Sequence, residues 1–462
     1  MTQVRPLAII LASLGLVALP AAADDLADIK AQMQQLIQAN QQLMQQVAEL
    51  QEKVKKIDAD TGNVVRNNKL VTAGDEDGSF KLFGSETSVA IYGYAHLDMY
   101  KDLEGRQSGD WAADIGSQPI GGLGGDTREG KMNLTARQSR LGIRSSTPTD
   151  MGMLRTKVEA DFVKSPDGSD ANLDTSLLLN NYVFRLRHAY GELDGDWGKL
   201  LAGQTWSTFM NLDTMPETID FNGHASSAFI RQPMIRYTAN FEDAGSLAIA
   251  IENPANVIVW NDGPSIQTSP NIDKQPDLIA NWSLARDWGM VSAQALYTKY
   301  SYDDGLFAKT DKSGWGLGLG GVWKPTPKDS LMAQYTTGKG IGRYVPTTSY
   351  HIAYYDDVNG LKLYESDSWV LGWTRAWSDT VRTTLAYGGT KINDNWMLLD
   401  GSPESDSREL FEGFANIVWG IAKNTELGLE YSWGERETYP TLAGDVLTGK
   451  RSRIGTSLHY AF

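Results

Sequence analysis

Apolar and polar residues alternate with a period of two along most of the chain from residue 88 to the last residue. Val89, Ile91, Ala95 and Leu97 fall on one face, and Tyr92, Tyr94, His96 and Asp98 on the other. A β-strand sends successive side chains to opposite faces, so this alternation predicts strands. They are predicted near 88–100, 131–144, 153–163, 181–194, 198–209, 232–241, 245–254, 275–286, 289–301, 312–324, 329–339, 364–377, 380–392, 408–422, 425–438 and 449–462. Each is roughly ten to fourteen residues long, near the length of a tilted strand that crosses a bilayer. The links between them alternate in length. Glu242-Asp-Ala244, Arg286-Asp-Trp288, Ser378-Asp379 and Lys423-Asn424 are short, whereas 101–130, 255–274 and 340–363 are long and polar. Short turns at one end and long loops at the other are what a transmembrane barrel requires. The pattern therefore predicts an all-β, antiparallel transmembrane barrel of about sixteen strands over 88–462, with fourteen or eighteen still open.

The ends fit that reading. Ile454, Thr456, Leu458, Tyr460 and Phe462 alternate with polar and small residues, and a last strand must pair with the first, because an open edge cannot sit in lipid. Trp315, Leu317, Leu319 and Trp323 share a face with tryptophan at both ends, as interfacial anchors do.

A different period governs the N-terminal region. Leu26, Ile29, Met33, Leu36, Asn40, Leu43, Val47, Leu50, Val54 and Ile57 step by three and four. This is a coiled-coil seam that one chain cannot bury alone, and a polar Asn40 at a seam position fixes register. Val47 and Val54 opposite leucines lean towards two strands. Arg5, the apolar run Leu7–Leu19 and Ala21-Ala-Ala23 read as a signal peptide over 1–23. The coiled coil is then expected over 24–58 and a polar linker over 59–87.

Composition narrows the function. Of the 462 residues 41% are hydrophobic, and 46 glycines, 19 tyrosines and 14 tryptophans favour strands, turns and interfacial aromatics. The net charge of −15 argues against a nucleic-acid partner, and with no cysteine there is no disulfide. No cofactor and no metal site are expected: the five histidines, His96, His188, His224, His351 and His459, lack metal-ligand spacing. His224 lies near Asn222, Ser226 and Ser227, which is ordinary turn chemistry rather than an enzyme site. Gly316-Leu-Gly-Leu-Gly-Gly321 alternates like a strand and is not a phosphate cradle.

The informative stretch is Tyr182–Thr238. Two arginine-bearing strands flank a long loop, placed at 210–231, that carries Asp213, Glu217 and Asp220. A loop of that length inside a compact domain is usually functional, so it is expected to fold into the barrel as a constriction. Opposite the apolar faces recur Arg140, Arg144, Arg155, Lys157, Arg185, Arg187, Arg236, Arg382, Arg451 and Arg453, with Glu159 and Asp161 on the same inward side. Arginine in lipid near the midplane would cost ~2–4 kcal/mol, so these residues are expected to line water. They either attract solutes by charge or only brace the loop and wall.

Arg185-Leu-Arg-His-Ala-Tyr-Gly191, Ala202-Gly-Gln-Thr-Trp-Ser-Thr208, Pro216-Glu-Thr-Ile-Asp-Phe-Asn-Gly223, Arg231-Gln-Pro233 and Ala136-Arg-Gln-Ser-Arg-Leu-Gly142 resemble the DcaP-like trimeric outer-membrane porins. The resemblance runs from the heptad segment through Ser79-Phe-Lys-Leu-Phe-Gly84 to the C-terminus, departing at Phe83 where the family pattern has Pro. It implies a homotrimer in the outer membrane of a Gram-negative bacterium, with the coiled coil in the periplasm. It also implies passive diffusion of small hydrophilic solutes, favouring small anions such as dicarboxylates. Expected partners are outer-membrane lipid, the barrel-assembly machinery (reading Tyr460 and Phe462 as its signal), small anionic solutes, and the cell wall through the coiled coil. Two rival readings are a saccharide-selective porin with Tyr92, Tyr94 and Tyr182 as a sliding track, and a poorly conducting tether between outer membrane and cell wall.

Overall fold

The computed structural model describes residues 34–56 except 36 and 40, and residues 71–462 except 83, 106–114, 121–129, 165–181, 256–257, 261–271, 306–307, 346–351, 394–406 and 442–443. The chain divides into two units, Met1–Thr72 and Ala73–Phe462.

In the first unit residues 41–56 are helical. Leu43, Val47, Leu50 and Val54 lie exposed along it. The other seam positions, Leu26, Ile29, Met33, Leu36, Asn40 and Ile57, lie outside the described residues, as does the proposed signal segment.

The second unit is a closed antiparallel barrel of sixteen strands. They are β1 (Ser88–Glu104), β2 (Met132–Thr135 and Arg140–Thr149), β3 (Gly152–Lys164), β4 (Val183–Gly195), β5 (Gly198–Trp206), β6 (Arg231–Asn240), β7 (Ser246–Glu252), β8 (Asp277–Arg286), β9 (Gly289–Asp303), β10 (Lys309–Thr326), β11 (Asp329–Lys339), β12 (Glu365–Ala376), β13 (Val381–Ile392), β14 (Ser407–Ala422), β15 (Thr425–Thr438) and β16 (Thr448–Ala461). Each pairs with its sequence neighbour, and β16 closes on β1 through a register that runs from Ser452↔Glu104 to Ala461↔Tyr94. Phe462 completes the seam. Its N–H donates to the Gly93 carbonyl at 3.0 Å, and the Gly93 N–H donates to the Phe462 carbonyl at 3.2 Å.

Closure inverts the usual rule for burial. Ile143, Val158, Ile249, Leu317, Leu319, Leu371 and Leu429 point outward and are exposed, while polar residues such as Glu159, Asp161, Glu412 and Glu430 point inward and are buried. Lipid supplies no hydrogen bonds, so outward positions must be apolar. Trp197, Trp288, Trp323, Trp377 and Trp419 lie exposed towards the short-turn end, forming an interfacial belt. At the other end residues 353–356 and 360–363 pair with each other, and 259–260 joins them as a parallel edge. Tyr355 of that small sheet stacks on Tyr302 with ring centroids 3.7 Å apart.

Two departures from plain alternation shape the interior. The continuous strand expected over 131–144 breaks between Thr135 and Arg140, because side chains take over the ladder there. Gln138 Nε2 donates to Asp98 Oδ2 at 2.6 Å, and the His96 N–H donates to Ser139 Oγ at 3.0 Å. In β4 the register against β3 shifts between Glu159 and Ala160. This bulge at Arg187 lets Arg187 and His188, adjacent in sequence, both reach the Glu159 side of the wall. Bulges commonly re-aim a side chain in this way.

Candidate functional site: the inserted loop and the basic wall

Residues 207–230, between β5 and β6, fold into the barrel. The loop is held first by an apolar anchor: Phe209 and Met210 bury against Ile279, Leu296, Ile341 and Tyr344. The Thr208 N–H donates to Glu252 Oε1 at 2.7 Å, while Asn281 Nδ2 donates to the Thr208 carbonyl at 2.8 Å. Gln334 Nε2 then donates to the Asn211 carbonyl at 3.1 Å.

Further along, four wall glycines lie directly under loop residues. A Cβ placed on Gly320 would come within 2.8 Å of Thr214 Oγ1, on Gly372 within 2.4 Å of Pro216 Cγ, on Gly428 within 2.5 Å of Ile219 Cδ1, and on Gly388 within 2.3 Å of Ser226 Oγ. The wall is thus a mould for the loop, and its glycines mark where the two backbones approach most closely.

The loop's acids are also held. Arg382 grips Glu217 (Nε to Oε2 and Nη2 to Oε1, both 2.7 Å) and, from the other side, Glu426 at 2.7 and 3.0 Å. Asp220 is buried, with Oδ2 3.8 Å from Arg453 Nη1. Asp213 borders a recess beneath the loop that Arg236, Asn281 and Ser283 also line. The expected face-off between these acids and Arg185 and Arg187 is therefore not what forms. The acids engage, or lie beside, residues of β6, β13 and β16. What the loop offers Arg185 and Arg187 is the ring of Phe221, whose centroid lies 5.6 and 5.7 Å from their guanidinium carbons.

The basic wall lies on β2–β4. Arg185 binds Asp161 through Nε at 3.0 Å and Nη2 at 2.7 Å. Arg187 bridges Glu159 at 2.9 Å and Asp161 at 2.8 Å. Arg140 and Lys157 approach Glu159 at 3.4 and 3.2 Å, and Tyr92 Oη donates to it at 2.9 Å. Arg231, at the exit of the loop, lies 4.4 Å over the Trp206 ring, and the charges acting on it include Arg187, Arg185 and Arg140. Five cations, Arg140, Lys157, Arg185, Arg187 and Arg231, thus share one patch with two carboxylates, Glu159 and Asp161.

The remaining basic candidates divide by surroundings. Arg144 is half exposed, 3.5 Å from Glu76. Arg155 pairs with Asp194 at 2.8 Å towards the short-turn end. Arg451 and Arg453 face inward but are enclosed rather than wetted, as Arg187 is: their side chains are 1%, 4% and 4% exposed respectively, and they bind Glu412, Asp102 and the Glu159–Asp161 pair. These three brace the wall instead of lining open water. Among the described residues no group of three or more histidines and carboxylates is placed to hold a metal ion.

Sequence reasoning passed over Arg231, although it is the residue at which the chain leaves the loop. It also passed over Glu412 and Glu430, whose inward alternation with Phe411, Leu429 and Tyr431 was the available signal.

The family model of the DcaP outer membrane protein matches residues 17–462. The outer membrane channel DcaP of Acinetobacter baumannii is similar to the chain with a TM-score of 0.68 at 25% identity, covering 85% of this chain and 100% of that one. OmpF of Salmonella typhi, in complex with daunomycin, is similar in fold with a TM-score of 0.50 at 12% identity, over 82% of this chain and 99% of that one. No curated protein matches the chain. With a sixteen-strand barrel, a loop folded into its bore and a family match over nearly its whole length, the chain belongs to the DcaP outer membrane protein family and is an outer-membrane channel.

Proposed function

We propose that this channel is a trimeric porin that passes small hydrophilic solutes by diffusion and favours small anions, dicarboxylates among them. The observation that carries the anion preference is the excess of cations over carboxylates in the β2–β4 patch with Arg231. A charge lining a water-filled bore about 6 Å from a passing ion acts with ~0.7 kcal/mol even at the dielectric of bulk water, close to a threefold bias per charge. Low-dielectric walls focus the field further. A planar dicarboxylate suits forked guanidinium donors, which bind carboxylates two bonds at a time. The sugar-track alternative loses its aromatics to other duties, because Tyr92 is tied to Glu159, Arg140 lies over Tyr94, and Arg137 lies over Tyr182.

The trimer reading is supported by the exposed Leu43, Val47, Leu50 and Val54 of the N-terminal helix, whose heptad spacing reads as a periplasmic coiled coil joining three copies. The native mass of the detergent-extracted protein should be that of three chains, and a monomer would remove this part of the reading.

The test of selectivity is the reversal potential of the reconstituted channel across a salt gradient. Replacing Arg140, Arg185 and Arg231 with Gln should move it towards cation selectivity and reduce dicarboxylate flux more than neutral sugar flux. The shift should be larger in dilute salt, since screening sets in beyond ~10 Å at 0.1 M. An unchanged potential in a trimeric, conducting triple variant would mean that these arginines only brace the wall.

A further inference from the structure

Glu412 and Glu430 sit in the wall on β14 and β15, both almost fully buried. Glu430 receives two successive loop amides with its two oxygens: the Ile219 N–H donates to Oε2 at 2.8 Å and the Asp220 N–H to Oε1 at 2.9 Å. Asn416 Nδ2 ties the same carboxylate to the loop by donating to Glu430 Oε2 at 3.1 Å and to the Glu217 carbonyl at 2.9 Å. A few residues on, the Ala225 N–H donates to Glu412 Oε2 at 2.9 Å, and the other oxygen of Glu412 is held by Arg451. The groups around this pair are accounted for: Asp220 and Arg453 beside the loop turn, Asp102 behind Arg453, Arg451 behind Glu412, and neutral His224 edge-on to Phe414.

Enclosing a carboxylate is costly unless donors meet it. For Glu430 those donors are the loop's own amides and Asn416. A neutral acceptor would cost less to bury, but only a carboxylate offers two equivalent oxygens to two adjacent N–H groups and binds each in a charge-assisted bond. Both pegs fall where the loop runs over glycines, Gly428 beneath Ile219 and Gly388 beneath Ser226. Close approach and a strong acceptor therefore occur together at each place.

We propose that Glu412 and Glu430 are positioning residues of this channel, acting on the middle of the loop from Ile219 to Ala225. Neither touches the solute, and together they set how far the inserted loop stands from the wall, and hence the width of the bore. This inference rests on the channel assignment and not on the anion preference, so the two stand or fall separately.

The chain contains no cysteine, which permits a direct test. A single Ile219→Cys, buried under the seated loop, reports how often the loop lifts, through its labelling rate by a small water-soluble maleimide in reconstituted channels. Glu430→Gln keeps the shape but offers only one good acceptor oxygen. Losing one hydrogen bond to a charged group should raise the lifted population, and the labelling rate with it, by about tenfold or more. Open-channel current noise should rise in parallel, and the denaturation midpoint of the barrel should stay near that of the parent. Glu412→Gln should do the same to Ser226→Cys. Should Glu430→Gln fail to assemble, Asn416→Ala removes the bridging donor while leaving the carboxylate, and the labelling of Ile219→Cys should again rise. Labelling rates equal to those of the parent in the assembled Glu430→Gln, Glu412→Gln and Asn416→Ala channels would overturn the proposal.

Discussion

Gly372→Ala adds one methyl group to the inner face of the barrel wall, and it should narrow the channel. The new Cβ would stand 2.4 Å from Pro216 Cγ and 2.7 Å from Pro216 Cβ, where ordinary carbon contacts are about 3.5–4 Å. A flexible side chain would swing aside. A proline ring cannot, because its φ is fixed by the ring itself. The loop backbone must therefore move away from the wall by about 1 Å, which is the shortfall against that contact distance. The next residue, Glu217, is anchored to Arg382 by two bonds of 2.7 Å, so the displacement strains that clamp. Overpacking of this kind costs about 1–3 kcal/mol, which is roughly a fivefold to 150-fold shift against the seated loop. The cost falls on the loop rather than on the barrel ladder. Single-channel conductance should fall, and the flux of a bulky solute should fall more than that of a small one. Gly321→Ala is the control, since the Cβ there meets nothing closer than the Met290 carbonyl at 3.5 Å. If Gly372→Ala conducts and discriminates by size like Gly321→Ala, the loop does not rest on the wall in the functioning channel.

Two further outcomes follow from the same geometry. Arg187→Met removes the cation shared by Glu159 and Asp161 and should lower barrel stability towards the lower end of ~3–5 kcal/mol, because Arg140, Lys157 and Arg185 remain as partial partners; a denaturant midpoint unchanged in detergent would contradict the bracing role. His224 is buried with neither ring nitrogen hydrogen-bonded, and burial depresses its pKa from 6.5 to about 3. Its unfolded or lifted form therefore binds the proton first. The seating of the loop is fully supported above pH about 6.5 and weakens as pH falls towards about 3, by up to ~1.4 kcal/mol per pH unit. The labelling rate of a loop cysteine should rise on acidification through that window, and His224→Phe should flatten the rise; identical pH profiles would refute the role given to His224.

What the sequence revealed and what it hid separate by range. Period-two alternation is local, so β11 and β15 have the same bounds in sequence and structure, and the others differ by a few residues. The break in β2 was not legible, because it depends on Gln138 and Ser139 finding Asp98 and His96 about forty positions away. The duties of the charged residues were hidden for the same reason. Alternation places Arg382, Arg451 and Arg453 on the inward face, but only the fold brings Glu217 to Arg382 across 165 positions. The glycines were equally silent. Nothing in the alternation sets Gly320 and Gly428 apart, yet in the fold Thr214 and Ile219 rest on them.

The heptad spacing was legible as a pattern but not as a contact, since a spacing along one helix does not say which surface meets it. A strand reports which face it buries, and a seam reports that something must cover it, but neither names its partner. In this protein the partners that define the bore are the loop and the wall. Each carries half of a fit: proline, isoleucine and free amides on one side, glycines and buried carboxylates on the other. Inward glycines in alternating strands, interspersed with inward glutamates, are therefore a sequence signal for a loop seated in a barrel. Neither residue type has a reason to face open water in that combination, because glycine weakens a strand that packs against nothing and a carboxylate in an open bore needs no fixed donor.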